Sequence, residues 1–519
     1  MKKIILLWGI LVISSVILTG CINFGSQEIN QDQMFEDYDY MVNVLHNMMP
    51  HAIVIRESYN IDVWKKLADY RKKIPQIKNT REFAVLVASA LYACKGHHLG
   101  LKRISPSMDE NYLTSIYGEV DTKLSAMRNY DLATYANQVL FYAPPFPQTL
   151  YFTYYDGNYY IPCKFKVNDQ CYPDQLKLLT VDGYIPEEIE REVIDHLPYY
   201  DSNHSRFYNG NFYCFFPPKN NGERIFEFLT RNNDKIKLRI KDSDKIFYFA
   251  NSKSFRKVPK FVWYISEYQA IYIRIPTMNY VHQHFYLSEI DKIQRKYHPH
   301  FAIIDVRYNG GGSDIIALLM IKALLSKPNL GVKYAFLANE SQRKELIRRG
   351  RNLDKFQEKE IEFLDKQKFL ISNNTPIITE NNEAPKVHRI YVLSENVYSA
   401  AGTLTSRIAY DNDNIISVGF NNPRMLGRGV NPFIFALPNS KLTIQVEPAL
   451  DVTNCTTAMD CMHTKVELEL KLHPIEYFQY LMTPVDTTNV REYLLYNDPF
   501  MQKVFRLINR HRSSKKDGS

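Results

Sequence analysis

Ser399 lies at a turn whose residue types could catalyse acyl transfer. The apolar run IYVL precedes it, and the small residues Ala400, Ala401 and Gly402 follow it before a predicted helix. A serine at such a strand-to-helix turn exposes its hydroxyl, and the next backbone N–H, that of Ala400, can bind an oxyanion. The alternative is that Ser399 only caps the helix, which is the commoner role of serine there.

A second turn, FAIIDVRYNGGGS at 301–313, offers oxyanion donors. Its apolar run predicts a strand buried on both faces, and three glycines permit positive φ. The segment DIIALLMIKALL then predicts a helix with Ser313 or Asp314 as N-cap. The backbone N–H groups of Gly310 and Gly311 are therefore candidates to stabilise an oxyanion, although an ordinary tight turn would have the same pattern.

Two adjacent histidines, His97 and His98, stand at the end of a predicted helix, in the segment CKGHHLG at 94–100. Taken alone, such a pair more often complements the helix dipole than acts in catalysis. A thiol–imidazole pair between Cys94 and His97 is a further, weaker alternative.

The two turns, about ninety residues apart, resemble the C-terminal-processing (tail-specific) protease family, also called the tricorn-core family. The matching motifs are DVRYNGGG at 305–312 and YSAAG at 398–402, and Gly96-His97 matches a third motif at a helix end. The resemblance implies an α/β fold with a ClpP/crotonase-like core, serine peptidase activity and no cofactor. Gly402 departs from the family pattern, which often has glutamate there.

The resemblance also bears on what activates the serine. Many members place a lysine about 25 residues after it, but here the matching positions are Arg424 or Arg428. Arginine stays protonated and cannot accept the proton, so either arginine would bind a substrate carboxylate instead.

A subgroup of the family uses a histidine base and a distant glutamate that orients it. By this resemblance His97, or alternatively His98, is the base, and Glu469 or Glu467 in the segment VELELKL is the orienting acid. The same segment also has the alternation of a strand with exposed charges.

Composition narrows the function classes. Of 519 residues, 23% are charged and 45% hydrophobic, which is typical of a globular chain rather than a disordered one. The net charge of +8 is small for this length and partly reflects a basic tail, so no nucleic-acid partner is predicted. Without HExxH or paired CxxC motifs, no metal site is predicted.

The first 21 residues have the pattern of an export signal, with Lys2 and Lys3 before an apolar run. The segment LTGC resembles the bacterial lipobox, which implies lipidation of Cys21 and a lipid anchor in the bacterial cell envelope. The alternative is a plain signal anchor. Residues 22–33 are predicted to form a polar tether.

The remaining chain is predicted to be multidomain. We expect a helical domain at 34–135, with Thr80 as a helix N-cap, and a β-rich module at 145–250 with Asp-Gly turns. This module resembles a PDZ domain, and a generic β-barrel is the alternative. An α/β peptidase core with a largely parallel sheet is predicted at 262–482, and a C-terminal helix with a frayed basic tail at 485–519.

Two local expectations complete the prediction. The charged segment between Leu330 and Lys386 is interpreted as an exposed helical insert. In an oxidising compartment, Cys163 could pair with Cys171, and Cys455 with Cys461.

The sequence therefore predicts an exported, lipid-anchored serine endopeptidase that acts on protein or peptide substrates. The alternative is a catalytically inactive, protease-like lipoprotein that binds peptides, because the family lysine is missing and Gly402 replaces glutamate.

Overall fold

The computed structural model describes residues 28–516 with internal gaps. The gaps are 106, 112, 115–118, 120–129, 143–149, 211, 216–221, 242, 250–257, 365, 375–384, 398–399, 410–411, 421–429, 464–465, 484 and 486–488. Four predicted site residues therefore lie outside the described residues: Cys21, Ser399, Arg424 and Arg428.

The chain divides into two compact units. Unit 1 comprises the described residues up to Tyr248 together with Ala335–Ser372 and Val430–Leu450. Unit 2 comprises those of Phe249–Tyr334, Asn373–Gly429 and Asp451–Ser519. The finer division into six segments stays a prediction.

Most of the longer α-helices bury apolar residues on one face. In chain order the α-helices are α1 Gln31–Met48, α2 His51–Tyr59, α3 Val63–Arg71, α4 Thr80–Ala93, α5 Tyr130–Tyr142, α6 Pro186–Glu192, α7 Gln283–Tyr297, α8 Asp314–Leu324, α9 Glu340–Arg348, α10 Ala400–Thr403, α11 Pro474–Met482, α12 Val490–Tyr496 and α13 Pro499–Lys516.

The β-strands are mostly short, and several form antiparallel hairpins. In chain order they are β1 Gly100–Leu101, β2 Thr153–Tyr155, β3 Asn158–Ile161, β4 Phe165–Val167, β5 Gln170–Tyr172, β6 Leu176–Val181, β7 Tyr199–Asp201, β8 Arg206–Tyr208, β9 Glu223–Leu229, β10 Lys235–Lys241, β11 Ile246–Tyr248, β12 Phe261–Ile265, β13 Ala270–Arg274, β14 Phe301–Asp305, β15 Val332–Leu337, β16 Phe356–Glu360, β17 Lys368–Asn374, β18 Arg389–Ser394, β19 Ile415–Gly419, β20 Phe433–Ala436, β21 Thr443–Val446, β22 Ala449–Asp451 and β23 Leu468–Glu469.

The helical start of unit 1 agrees with the spacing of its apolar residues, but one cap differs. Asn79, not Thr80, is the N-cap of α4, and its side chain accepts a hydrogen bond from the backbone N–H of Glu82. Thr80 is the first helical residue, and its hydroxyl instead bonds Glu28. Asparagine is as good an N-cap as serine or threonine, so the sequence alone did not separate the two positions.

The β-rich part of unit 1 is antiparallel. Its five-stranded sheet has the order β10-β9-β6-β3-β2, and β11-β4-β5 form a three-stranded sheet. The predicted Asp-Gly turn between β2 and β3 is confirmed, because Asp156 and Gly157 both have positive φ, as a two-residue hairpin of this type requires. Its likeness to a PDZ domain stays a prediction.

Unit 2 contains the predicted, largely parallel sheet, in the order β12-β13-β14-β18-β19-β23. Only β12, at one edge, is antiparallel to its neighbour. Every residue of β13 and β14 is buried, as expected for strands covered on both faces. The end of β14 is in register with the end of β18, where Asp305 pairs with Leu393. The glycine turn and the turn after β18 therefore start at the same edge of the sheet.

The expectation of a helical insert between Leu330 and Lys386 is only partly right. Helix α9 forms, but strands β16 and β17 follow it and pair antiparallel. Phe369 and Leu370 of β17 are buried, so strand pairing and burial outweigh the helix propensity of the charged residues around them.

The single C-terminal helix is also a wrong prediction. Two helices, α12 and α13, are separated at Asn497 and Asp498, because Pro499 cannot continue a helix but fits the first turn of a new one. Asp498 accepts hydrogen bonds from the N–H groups of Phe500 and Met501. The predicted frayed tail is instead helical as far as Lys516.

The two expected disulfides do not form. Cys163 is buried and Cys171 is exposed, and no disulfide joins any of the described cysteines. In the part of the chain that is described, no helix has both the length and the apolar character to span a bilayer.

Candidate functional site

The glycine turn after β14 is held by the side chain of Asn309. Its Nδ2 donates to the carbonyl of Ile275 at 2.9 Å, and its Oδ1 accepts from the N–H of Gly311 at 2.8 Å. The Gly311 N–H is thus already bonded within the turn. Within the described residues, the Gly310 N–H donates no such bond. Gly310 is therefore the stronger of the two candidates for stabilising an oxyanion.

Glycine is required at the end of this turn. Gly312 has φ +134°, and a Cβ there would lie 2.3 Å from the carbonyl oxygen of Met278. The same carbonyl accepts a hydrogen bond from the Ser313 N–H at 2.9 Å. The close approach fixes the turn against the segment after β13, which explains why the sequence carries glycine here.

A fully buried ion-pair network lies beneath the turn. The Arg307 guanidinium contacts Asp305 through Nε at 3.0 Å and Nη2 at 2.6 Å, and contacts Asp498 through Nη1 at 2.7 Å. It also stacks over the Phe500 ring at 4.6 Å. Burial raises the pKa of the Asp498 carboxyl. Burial also acts to raise the pKa of Asp305, but Arg307 and Arg274 outweigh it and lower this pKa.

Replacing Arg307 with methionine is expected to destabilise unit 2 by about 3–5 kcal/mol, because it leaves buried carboxylates unpaired. Urea unfolding followed by tyrosine and tryptophan fluorescence measures the change. The matched control is Arg295→Met, since Arg295 pairs with Asp291 on the surface and such pairs contribute about 1 kcal/mol or less. Equal losses in both variants would show that Arg307 does not hold the turn.

Hydrogen bonds and a helix hold the described residues on either side of Ser399. Before it, Ser394 at the end of β18 bonds the Thr405 hydroxyl at 2.6 Å, and Thr405 donates to the carbonyl of Ala401 at 2.8 Å. After it, α10 begins at Ala400, as the strand–turn–helix prediction requires. Ser399 itself stays a predicted nucleophile.

In unit 1, His98 contacts a buried carboxylate that the sequence analysis did not single out. His98 Nδ1 is in contact with Oε1 of Glu447, and this oxygen also accepts the Val430 N–H at 3.1 Å. Glu447 is 1% exposed, whereas the His98 side chain is 40% exposed. A carboxylate on Nδ1 fixes the tautomer and leaves the lone pair of Nε2 available to accept a proton.

Strand pairing brings these two residues together. Gly100 and Leu101 of β1 pair with Gln445 and Ile444 of β21. His98 lies just before β1 and Glu447 just after β21, so the antiparallel register places them side by side. His98 has φ 40°, an uncommon conformation for a residue with a side chain, and such strain is often found at functional sites.

The charges of this pair favour ionised Glu447. Burial alone would raise the pKa of Glu447, but His98 and His51 outweigh it and hold this pKa well below its usual range. Burial alone would lower the pKa of His98, yet the Glu447 carboxylate raises it overall. The pair is therefore suited to stabilise an imidazolium when His98 accepts a proton.

His97, the first choice from the sequence, is in a different environment. Its Nε2 atom is buried and has no hydrogen-bond partner among the described residues, and its ring centroid is 6.1 Å from that of His51. Burial lowers the pKa of His97 to about 4. His97 thus lacks the direct carboxylate contact that His98 makes.

Cys94 is not suited to nucleophilic catalysis. It is fully buried, its Sγ–H donates to the carbonyl of Ala90 at 3.2 Å, and burial raises its pKa to about 12. The thiolate is therefore not formed near neutral pH.

The two predicted orienting acids belong to unit 2 and contact other groups. Glu469 lies on β23 with Lys471 Nζ at 3.6 Å, and Glu467 accepts a hydrogen bond from the Ser417 N–H at 2.9 Å. Their catalytic role stays a prediction. Glu447 was missed because its surroundings, VEPALD, match no motif and its distance from His98 along the chain is large.

Comparison with solved structures gives the fold. Mature CPAF is similar to this chain with a TM-score of 0.51 and 13% identity, over 92% of this chain and 98% of that one. The chain has the fold of the C-terminal-processing proteases. The resemblance predicted from the two turns is thus confirmed at the level of the fold.

Two further solved structures are more distant. The photosystem II D1 C-terminal processing protease is 11% identical with a TM-score of 0.34, over 85% of this chain and 94% of that one. An S41 protease from Bacteroides fragilis is 13% identical with a TM-score of 0.28, over 64% of this chain and 72% of its own. No protein-family model matches the sequence, and no curated protein matches it.

Proposed function

We propose that this protein is a serine endopeptidase in which Ser399 is the nucleophile, His98 the general base and Glu447 the acid that orients the base. The observation that carries the proposal is the contact between His98 Nδ1 and the buried Glu447 carboxylate, in a chain with a protease fold. Compared with the sequence prediction, His98 replaces His97 and Glu447 replaces Glu469.

The proposed reaction needs no cofactor. His98 Nε2 takes the proton of the Ser399 hydroxyl as Ser399 attacks the peptide carbonyl, and Glu447 stabilises the imidazolium that forms. The backbone N–H groups of Gly310 and Ala400 bind the oxyanion. His98 then returns the proton to the leaving amine, and water hydrolyses the acyl-enzyme by the same route.

Substrate binding and membrane attachment involve other parts of the chain. The substrate is a protein or peptide, bound in part by a PDZ-like module within 145–250 and by Arg424 or Arg428 at a carboxylate. Lipidation of Cys21 anchors the enzyme in the bacterial cell envelope. The exposed aromatic residues Tyr151 and Phe247 support a peptide-binding role for the β-rich module.

The test is covalent labelling by a peptidyl diphenyl phosphonate, which reacts with an activated serine and releases phenol. We expect one adduct per chain, and peptide mass spectrometry should locate it on Ser399. The Ser266→Ala variant, which alters an exposed serine, should be labelled like the parent, whereas Ser399→Ala should not.

The same experiment separates the enzyme from its alternative. Unfolded protein should give no adduct, because activation requires the folded site. Absence of labelling in folded protein that binds extended peptides would favour the catalytically inactive binding protein.

A further inference from the structure

Three side chains from distant parts of unit 1 form a second cluster, which shares Glu447 with the proposed catalytic pair. His51, at the start of α2, His97 and Glu447 each offer a ligand atom, and these atoms all lie within 4.8 Å of one another. His51 and Glu447 are buried at 2% and 1% exposure. Proteins bind zinc and related metals with ligand sets of this kind, two imidazoles and one carboxylate.

Hydrogen bonding within this cluster is incomplete. His97 Nε2 is buried without a hydrogen-bond partner within the described part of the chain. Beside it in the cluster, Glu447 Oε2 forms an ion pair with His51 Nε2 at 3.0 Å. Buried polar atoms are nearly always satisfied, so the unsatisfied nitrogen of His97 indicates a missing partner.

The two oxygens of Glu447 differ in what surrounds them. Oε1 is held by His98 and by the Val430 N–H, whereas Oε2 faces His51. A metal-binding carboxylate commonly has its second oxygen held in this way. The 3.0 Å between His51 Nε2 and Oε2 is close to the roughly 3.3 Å between two ligand atoms on a tetrahedral zinc ion.

We propose that His51, His97 and Glu447 form a binding site for a divalent transition-metal ion such as Zn²⁺, with a water as fourth ligand. A cation supplies the partner that His97 Nε2 lacks. The neutral imidazole that burial favours at His97 is the form that binds metals.

Binding is tested without reference to activity, by isothermal titration of the full chain with ZnCl₂ after chelation. We expect one Zn²⁺ per chain in the parent and in His284→Ala, which alters an exposed histidine of unit 2. His51→Ala and His97→Ala should each bind at least about 100-fold more weakly, since loss even of an outer-shell partner weakens metal sites 10- to 100-fold.

Circular dichroism shows whether each variant folds. His97→Ala is the better-behaved test, because the nitrogen it removes makes no hydrogen bond to the described residues. Unchanged zinc affinity in a folded His97→Ala protein would overturn the site, as would absence of stoichiometric binding by the parent.

Discussion

The Ser399→Ala variant is expected to lose peptidase activity by roughly 10⁴-fold or more in kcat/KM, and His98→Ala by a similar factor. The reason is that neither residue works alone: the hydroxyl is a weak nucleophile without a base, and the base has no proton to take without the hydroxyl. Steady-state cleavage of a fluorescent unfolded protein by the full chain measures both losses.

The double variant makes this prediction sharper. Because nucleophile and base act in one step, Ser399→Ala combined with His98→Ala should be no slower than either single variant. If the two residues acted independently, the fold-losses in kcat/KM of the single variants would multiply in the double variant. Ser266→Ala and His284→Ala are the matched controls, since each removes the same side-chain type from an exposed position.

The same double-variant experiment, made with His97→Ala in place of His98→Ala, identifies the base. If His97→Ala, and not His98→Ala, shows this non-additive behaviour with Ser399→Ala, the base predicted first from the sequence is right and the present proposal is wrong. Multiplicative losses for both histidines would contradict a serine–histidine mechanism altogether.

Glu447→Gln is expected to lower kcat by about 10³- to 10⁴-fold with little change in KM. The amide keeps the size of the side chain but removes the charge that stabilises the His98 imidazolium. It can also present an N–H to His98 Nδ1, which favours the wrong tautomer. Labelling by the phosphonate should slow in parallel, because both reactions need the activated serine.

A purely structural role of Glu447 would give a different result. Loss of folding would lower the fraction of active protein without slowing the labelling of the folded molecules that remain. Glu289→Gln, on the surface with Lys292, is the control for the substitution itself. If Glu469→Gln or Glu467→Gln gave the larger loss in kcat, the acid predicted from the sequence would be the correct one.

Much of the α/β core was predictable because its signals are local. Fully apolar runs such as 301–304 predict strands buried on both faces, and three glycines predict a turn that needs positive φ. Both are confirmed, by the burial of β14 and by Gly312. The structure of the insert between Leu330 and Lys386 was harder to predict, because the pairing of β16 with β17 outweighs the helix propensity of its charged residues.

The strand–turn–helix units of the core, the glycine turn and the candidate nucleophile can be derived from local sequence, because each depends on residues adjacent in the chain. Which acid contacts which histidine follows from the folded structure alone. Glu447 reaches His98 through the pairing of β1 with β21, between residues 349 apart in the chain, and His51 contacts it from the start of α2. No local pattern encodes such a pairing, since its register depends on burial and hydrogen bonding across the whole unit.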